Sequence, residues 1–107
     1  MEKVQVSVIY PTYNESMNVK ELILRAHTAL KGKYTHEIII VDDNSPDKTW
    51  KIAQDITGCN SRVIRRTTDR GLHQSIREGI EKSKGKYIVW SDADLSMPPE
   101  VIPKLIE

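Results

Sequence analysis

Asp92-Ala93-Asp94 sets two carboxylates two residues apart, directly after the apolar run Tyr87-Ile88-Val89-Trp90. On an extended segment, alternation puts both side chains on one side. Hard divalent cations take oxygen ligands, and Mg²⁺ is commonly held by one or two carboxylates with phosphate and water completing its shell. Ser96 adds a weaker oxygen two residues on. In open α/β sheets, ligands bind at the carboxyl ends of the strands. The expectation is therefore a buried strand ending in a metal corner for a diphosphate. The alternative is a surface turn whose aspartates bond the local backbone.

Two more polar breaks follow apolar runs. Asp42-Asp43-Asn44-Ser45-Pro46 follows Ile38-Ile39-Ile40-Val41, and Pro11-Thr12-Tyr13-Asn14-Glu15 follows Ile9-Tyr10. A carboxylate at the second strand's end, Asp42 or Asp43, can accept hydrogen bonds from ribose hydroxyls or a base, or can cap the next helix. Tyr13 can stack on a base that Glu15 bonds. Otherwise Tyr13 packs inward and Glu15 favours a helix N-terminus. Neither GxGxxG nor GxxxxGK[ST] occurs, so neither a dinucleotide fingerprint nor a P-loop is supported. His27, His36 and His73 lack metal-ligand spacing; His73 opens a helix near the expected site, where acid–base work is conceivable.

These loops need a scaffold. Val4, Val6 and Val8 alternate with polar residues and lead through Ile9-Tyr10 to a strand that Pro11 stops. Val19, Leu22, Ile23, Ala26 and Leu30 form a helical stripe closed by Gly32, with Ser16 or Asn14 available as cap. The continuous β-branched run at 38–41 reads as a strand covered on both faces. Ser45 with Pro46 resembles a helix start, and Thr49, Ile52, Ala53 and Ile56 supply that helix's apolar face, ended by Gly58. Val63-Ile64 is a weak third strand. Gly71 opens a helix with Leu72, Ile76 and Ile80 on its apolar side, and Gly79 suggests close packing against a strand. Tyr87 to Trp90 form the fourth strand, and Pro99 to Ile106 a last helix. This alternation predicts an α/β fold: a mostly parallel, Rossmann-like sheet of about four strands with flanking helices and right-handed crossovers. The three polar breaks then gather at one sheet edge.

The 107 residues suit one small domain, expected over 1–107. Formal charge is +1 with 29% charged residues of mixed sign, which argues against a nucleic-acid binder. The one basic cluster, Arg62, Arg65, Arg66 and Arg70, is either a solvated turn or meets phosphates. Cys59 is the only cysteine, so no internal disulfide or cysteine-based zinc site can form. With no signal-like apolar stretch after Met1, the expected location is cytoplasmic, including the cytoplasmic face of a membrane.

Val8-Ile9-Tyr10-Pro11-Thr12-Tyr13-Asn14-Glu15, Glu37-Ile38-Ile39-Ile40-Val41-Asp42-Asp43-Asn44-Ser45-Pro46-Asp47, Gly71-Leu72 with Gly79, and Asp92-Ala93-Asp94-Leu95-Ser96-Met97-Pro98-Pro99-Glu100 together resemble the family 2 glycosyltransferases of GT-A fold. Within them the likeness is to dolichol-phosphate (polyprenyl-phosphate) mannosyltransferases, and it runs from about Val6 to Ile106. The resemblance implies that Pro11, Tyr13, Glu15, Val41 and Asp43 contact the nucleotide of a donor such as GDP-mannose or a UDP-sugar. It implies that Asp92 and Ala93 touch nucleotide and diphosphate. Asp94 becomes the chief ligand of Mg²⁺ or Mn²⁺, with Asp92 and Ser96 beside it; many relatives carry glutamine or serine where Ser96 stands, and serine is the poorer ligand. The implied reaction is inverting sugar transfer to a polyprenyl phosphate or a glycan, in which Asp92 and Asp94 serve the chemistry through the cation.

The resemblance also implies that this chain is the N-terminal, nucleotide-binding half of a GT-A fold. An exposed sheet edge would then favour a homo-oligomer or a partner. Two rivals remain. A non-catalytic module would bind nucleotide or mediate assembly only. A haloacid-dehalogenase-type phosphatase would use Asp92 as nucleophile, but its motif belongs after the first strand.

Overall fold

The computed structural model describes residues 3–107, so the expected domain range 1–107 and the Met1 reading begin outside the described residues. Four strands form one parallel sheet in the order β3-β2-β1-β4. They are β1 (Val6–Thr12), β2 (His36–Asp42), β3 (Ser61–Arg65) and β4 (Tyr87–Trp90). Between them run α1 (Val19–Leu30), α2 (Thr49–Gln54) and α3 (Leu72–Glu81), and a 3₁₀ turn at Pro99–Val101 leads into α4 (Ile102–Ile106). The α/β architecture anticipated from the alternation of elements is therefore present.

The two central strands are buried along their whole length. Even-numbered Val6, Val8, Tyr10, Ile38 and Ile40 meet the α1 stripe of Val19, Leu22, Ile23, Ala26 and Leu30. Ala53 of α2 and Ile102 of α4 join the same face. Each fully buried Leu or Ile there contributes roughly 1.5–3 kcal/mol. Odd-numbered Ile9, Ile39 and Val41 face the other way, into the α3 layer.

Four local expectations need correction. Pro11 does not stop β1; it lies within the strand, opposite Val41. Ile9 turns its carbonyl to Ser91 on the β4 side, while Thr12 turns its own to Asp43 on the β2 side. Pro11 shares the parity of Ile9, so its missing N–H falls where β4 has already ended, and no ladder bond is lost. Ser45-Pro46 does not open α2, which starts at Thr49 after Lys48 in a left-handed conformation. Neither Ser16 nor Asn14 caps α1; Asn18 holds that position without a side-chain cap bond. Finally, β4 is not buried among the described residues: Tyr87, Ile88 and Trp90 are exposed, because β1 is the one described strand paired with it.

Helix α3 is also turned from its expected face. Its buried residues are Ser75 and Gly79, not the Leu72, Ile76 and Ile80 triad. A Cβ on Gly79 would sit 2.6 Å from Ile9 Cγ2 and 3.1 Å from Val41 Cγ2. Overpacking of this kind costs about 1–3 kcal/mol, against a gain of up to ~1 kcal/mol for removing a mid-helix glycine. Gly79→Ala is expected to lower the urea midpoint with an unchanged m-value.

At the amino end of the sheet, His27 Nδ1 and His36 Nε2 lie 2.9 Å apart, and His36 Nδ1 lies 3.1 Å from the Tyr34 carbonyl. A carbonyl only accepts, so Nδ1 of neutral His36 carries the proton and Nε2 accepts from His27. Burial, then the neighbouring His36 and Lys31, push the His27 pKa below its ordinary value. Unfolded, His27 titrates near ~6.5, so below that pH the unfolded chain binds more protons. The stabilisation is complete above this value and is lost as pH falls through the lower folded pKa. Melting temperature is expected to drop between pH 7.5 and 5.5, with a shallower slope in His27→Gln.

Candidate functional site

The carboxyl ends of β1, β2 and β4 lie on one edge of the sheet, since all strands are parallel. Adjacent strands are about 4.8 Å apart, so the β2 and β4 tips stand roughly 10 Å apart across β1. Pro11, Tyr13, Glu15, Val41, Asp43, Asp92, Ala93, Asp94 and Ser96 all fall on or just beyond these three tips.

A polar network welds the first two loops together. Asp42 is fully buried. Its Oδ1 accepts from Thr12 Oγ1 at 2.6 Å and Ser45 Oγ at 2.7 Å, and its Oδ2 accepts from Ser45 N at 2.8 Å. Ser45 Oγ in turn accepts from Asn14 N at 2.9 Å, and Thr49 Oγ1 accepts from Glu15 N at 2.9 Å. Asp47 takes the Thr49 hydroxyl at 2.6 Å and Ser16 N at 3.1 Å. Burial alone would raise its carboxyl pKa, but these donors outweigh it and hold the group below the ordinary range. The loop after β1 is thus held by side chains of the loop after β2. Thr12, Ser45, Asp47 and Thr49 were not singled out from sequence as site-building residues; the only signal was the Asp-x-x-Ser spacing of an Asx turn.

Asp43 behaves differently from its neighbour. Its Oδ2 accepts from Gly71 N at 2.9 Å, while Oδ1 has no hydrogen-bond partner and lies 3.8 Å from Arg70 Nε. Arg70 donates from Nε to the Asp43 carbonyl at 2.9 Å, and its guanidinium lies 5.5 Å from the centre of the Tyr13 ring. Tyr13 is 50% exposed. The Asp43 carboxylate, the exposed Tyr13 ring and the Arg70 cation together suit a planar base that carries N–H donors.

Burial also separates the remaining positions. Pro11, Val41 and Ala93 are buried, so any ligand contact from them runs through backbone. Glu15 is half-buried and accepts from Asn18 Nδ2 at 3.0 Å. Asp92, Asp94 and Ser96 are exposed. Asp94 Oδ1 accepts from Ser96 N at 2.9 Å. Hydrogen bonds from Ser96 hold the Asp94 carboxyl below the usual carboxylate range. Leu95 takes a left-handed φ of 66°, which closes the turn. Among the described residues no group of three His, Cys, Asp or Glu side chains converges on a cation position. Two carboxylates and a hydroxyl nevertheless suit a Mg²⁺ or Mn²⁺ ion whose shell is completed by phosphate and water.

The arginine cluster does not form one surface. Arg66 is buried, paired with Glu78 at 2.6 Å and bonded to the Gln74, Thr68 and Asp69 carbonyls, and so fixes the loop that carries Arg70 and Gly71. Arg65 stacks on Trp50 at 3.6 Å, and Arg62 bonds Glu37 and the Lys82 carbonyl. Arg65 also donates from Nε to Asn44 Oδ1 at 2.9 Å beyond the β2 tip, and Arg70 reaches Asp43 and Tyr13. A groove of about 580 Å³ behind the 67–69 loop is lined by Arg66, Arg77, Glu78 and Glu81.

A family model described as Glycosyl transferase family 2 matches residues 7–107. The chain is 50% identical over 104 residues to a dolichol-phosphate mannosyltransferase of Pyrococcus furiosus, covering 96% of this chain and 29% of that protein. It is 38% identical over 106 residues to an undecaprenyl-phosphate 4-deoxy-4-formamido-L-arabinose transferase of Pseudomonas fluorescens, covering 95% and 31%. Among solved structures, S. aureus TarS 1-349 in complex with UDP-GlcNAc superposes with a TM-score of 0.75 at 27% identity, over 84% of this chain and 26% of that one. The chain thus spans less than a third of the length of each.

Proposed function

The chain belongs to glycosyl transferase family 2, and from that premise we propose that it forms the donor-binding part of an inverting transferase moving a hexose, mannose first, onto a polyprenyl phosphate. Two relatives differ in the sugar they are named for but share a polyprenyl-phosphate acceptor. That favours the lipid phosphate over a glycan acceptor and leaves GDP-mannose and UDP-sugars both as donors to test.

The observation that supports the reading is the Asp43 carboxylate, whose Oδ1 has no hydrogen bond and only a 3.8 Å approach from Arg70 Nε, the same arginine that lies over the exposed Tyr13 ring. Buried acceptors without a hydrogen bond are rare, and guanine and uracil both offer ring N–H donors to it. With the base held at Asp43, the roughly 10 Å from the β2 tip to the β4 tip leaves room for a ribose and its phosphates. Asp92 and Asp94 would hold a divalent cation there, which supplies Lewis-acid neutralisation of the departing diphosphate. In the transfer, a phosphate oxygen of the acceptor forms the bond to the anomeric carbon. The bond to the nucleoside diphosphate breaks from the opposite face, and the diphosphate leaves with the electron pair. The acceptor is already an anion, so no strong general base is required.

Thermal-shift titration with GDP-mannose, UDP-glucose and UDP-GlcNAc, each with and without Mn²⁺, tests donor binding. A ligand at 100 times its Kd stabilises by about 2.7 kcal/mol. A shift requiring both nucleotide sugar and cation is expected. No shift with any donor would leave the assembly module in front. Transfer to a polyprenyl phosphate is assayed separately, because binding and turnover are distinct.

A further inference from the structure

We propose, on the reading of Asp92 and Asp94 as cation ligands, that Leu95 is a positioning residue for them: its side chain, seated against the core, holds the left-handed turn that keeps Asp94 and Ser96 facing outward together. A burial pattern runs on past the end of β4. Ser91, Ala93 and Pro99 are buried and Leu95 and Met97 half-buried, whereas Asp92, Asp94, Ser96, Pro98 and Glu100 are exposed. Every second residue of this segment thus faces inward. Backbone pairing does not impose the pattern. Ser91 N donates to the Ile9 carbonyl at 3.2 Å, and the next backbone–backbone bond along the chain among the described residues is Val101 N to the Pro98 carbonyl at 3.1 Å.

An extended chain alternates by its own geometry, but this segment is not extended throughout. Leu95 has a φ of 66°, and Ser96 N donates to Asp94 Oδ1 at 2.9 Å across it. Left-handed backbone suits glycine best, then asparagine and aspartate. Asn14, Asn44, Asn60 and Asp69 follow that rule, and Leu95 is the one apolar residue at positive φ among the described residues. Strain of this kind persists where surrounding contacts over-determine it. Those contacts are present: Leu95 and Met97 pack against the core built on α1, β1 and β2, which Ala93 joins from the same segment. The alternation therefore survives the turn because the inward side chains find the core.

The other anchors of the segment do not act at that turn. Ala93 has a single methyl group to bury. Arg25 of α1 grips Glu100 as a fork, Nε to Oε2 at 2.9 Å and Nη2 to Oε1 at 2.5 Å. That pair is solvent-exposed, where ion pairs contribute little, and it lies well beyond Asp94. Leu95 stands between Asp94 and Ser96, so its anchoring decides how both oxygens are presented. A glycine would suit the backbone better and leave the turn free to swing. Ligands of a small divalent cation must converge on one point, and they do so reliably when packing locks the residues that carry them. Leucine accepts the strain and supplies the lock.

Three replacements separate the anchor from the backbone. Leu95→Gly and Leu95→Asn both accept a left-handed φ and lose the apolar contact, whereas Leu95→Met keeps the contact. Each is titrated calorimetrically with GDP-mannose and with UDP-glucose, with and without Mn²⁺, and hydrogen exchange of the Ser96 amide is followed by NMR. Leu95→Gly and Leu95→Asn are expected to lower donor affinity about tenfold in Mn²⁺ and to leave it at the wild-type value without Mn²⁺. Their Ser96 amides should exchange faster, while circular dichroism melts show a folded protein. Leu95→Met should match the wild type in all three respects. If the position serves the backbone alone, the order reverses: glycine and asparagine bind Mn²⁺ and donor as well as the wild type or better, and methionine does not. That result overturns the proposal, as does a loss of affinity equal with and without Mn²⁺. A wild type whose donor binding ignores Mn²⁺ overturns the reading of the acidic pair itself, and the role of Leu95 falls with it.

Discussion

Asp94→Ala is expected to abolish the cation dependence of donor binding and to lower affinity for the sugar nucleotide about 100-fold in the presence of Mn²⁺. Asp94 is exposed and its carboxyl is held below the ordinary range by Ser96. It is therefore ionised throughout the neutral range. Ser96 N engages Oδ1 at 2.9 Å. Its removal touches no packed side chain, so a loss of binding would not be a loss of fold. Asp94→Asn sharpens the result: it keeps an oxygen for Ser96 N and removes the charge. Isothermal titration of both variants, with and without Mn²⁺, should give equal and weak affinities. Undiminished Mn²⁺-dependent binding in Asp94→Asn would place the cation elsewhere.

What the sequence made legible here is the part governed by local periodicity. The α1 stripe and the β-branched run at 38–41 landed where their patterns put them, because each buries a face by its own geometry. The convergence of the polar breaks followed from parallel pairing, which the alternation of elements implies. What escaped depends on neighbours that periodicity does not encode. Four apolar residues at 87–90 read as a buried strand, yet among the described residues strand order leaves them at an edge. Leu72, Ile76 and Ile80 read as the inward face of α3, but the close approach allowed by Gly79 turned the helix onto Ser75 and Gly79. Gly79 was the visible clue, and it outweighed the triad. Pro11 could be placed inside β1 only by knowing which side of the strand was vacant.

The adjacent aspartates after β2 were equivalent in sequence, each a candidate for ligand or cap. Their surroundings divide them, and the division makes the second large prediction. Asp42→Ala strips partners from the Thr12 and Ser45 hydroxyls and from Ser45 N inside a buried site. Breaking a buried, charge-assisted network costs about 3–5 kcal/mol. Small domains have only about 5–15 kcal/mol of stability in total, so urea unfolding of this variant should begin at very low denaturant. Asp43→Ala removes one hydrogen bond, from Gly71 N, and a part-exposed 3.8 Å ion pair with Arg70. Its stability cost should stay near ~1 kcal/mol. Its effect belongs instead to the ligand: a site built to accept a base N–H loses that bond, and donor affinity should fall about 10–100-fold. The two variants should therefore separate completely, one failing in unfolding experiments and the other in titrations of a folded protein. Equal destabilisation by both, or undiminished donor affinity in Asp43→Ala, would mean that the Asp43 carboxylate is part of the scaffold, and the base-binding role assigned to the β2 tip would have to move.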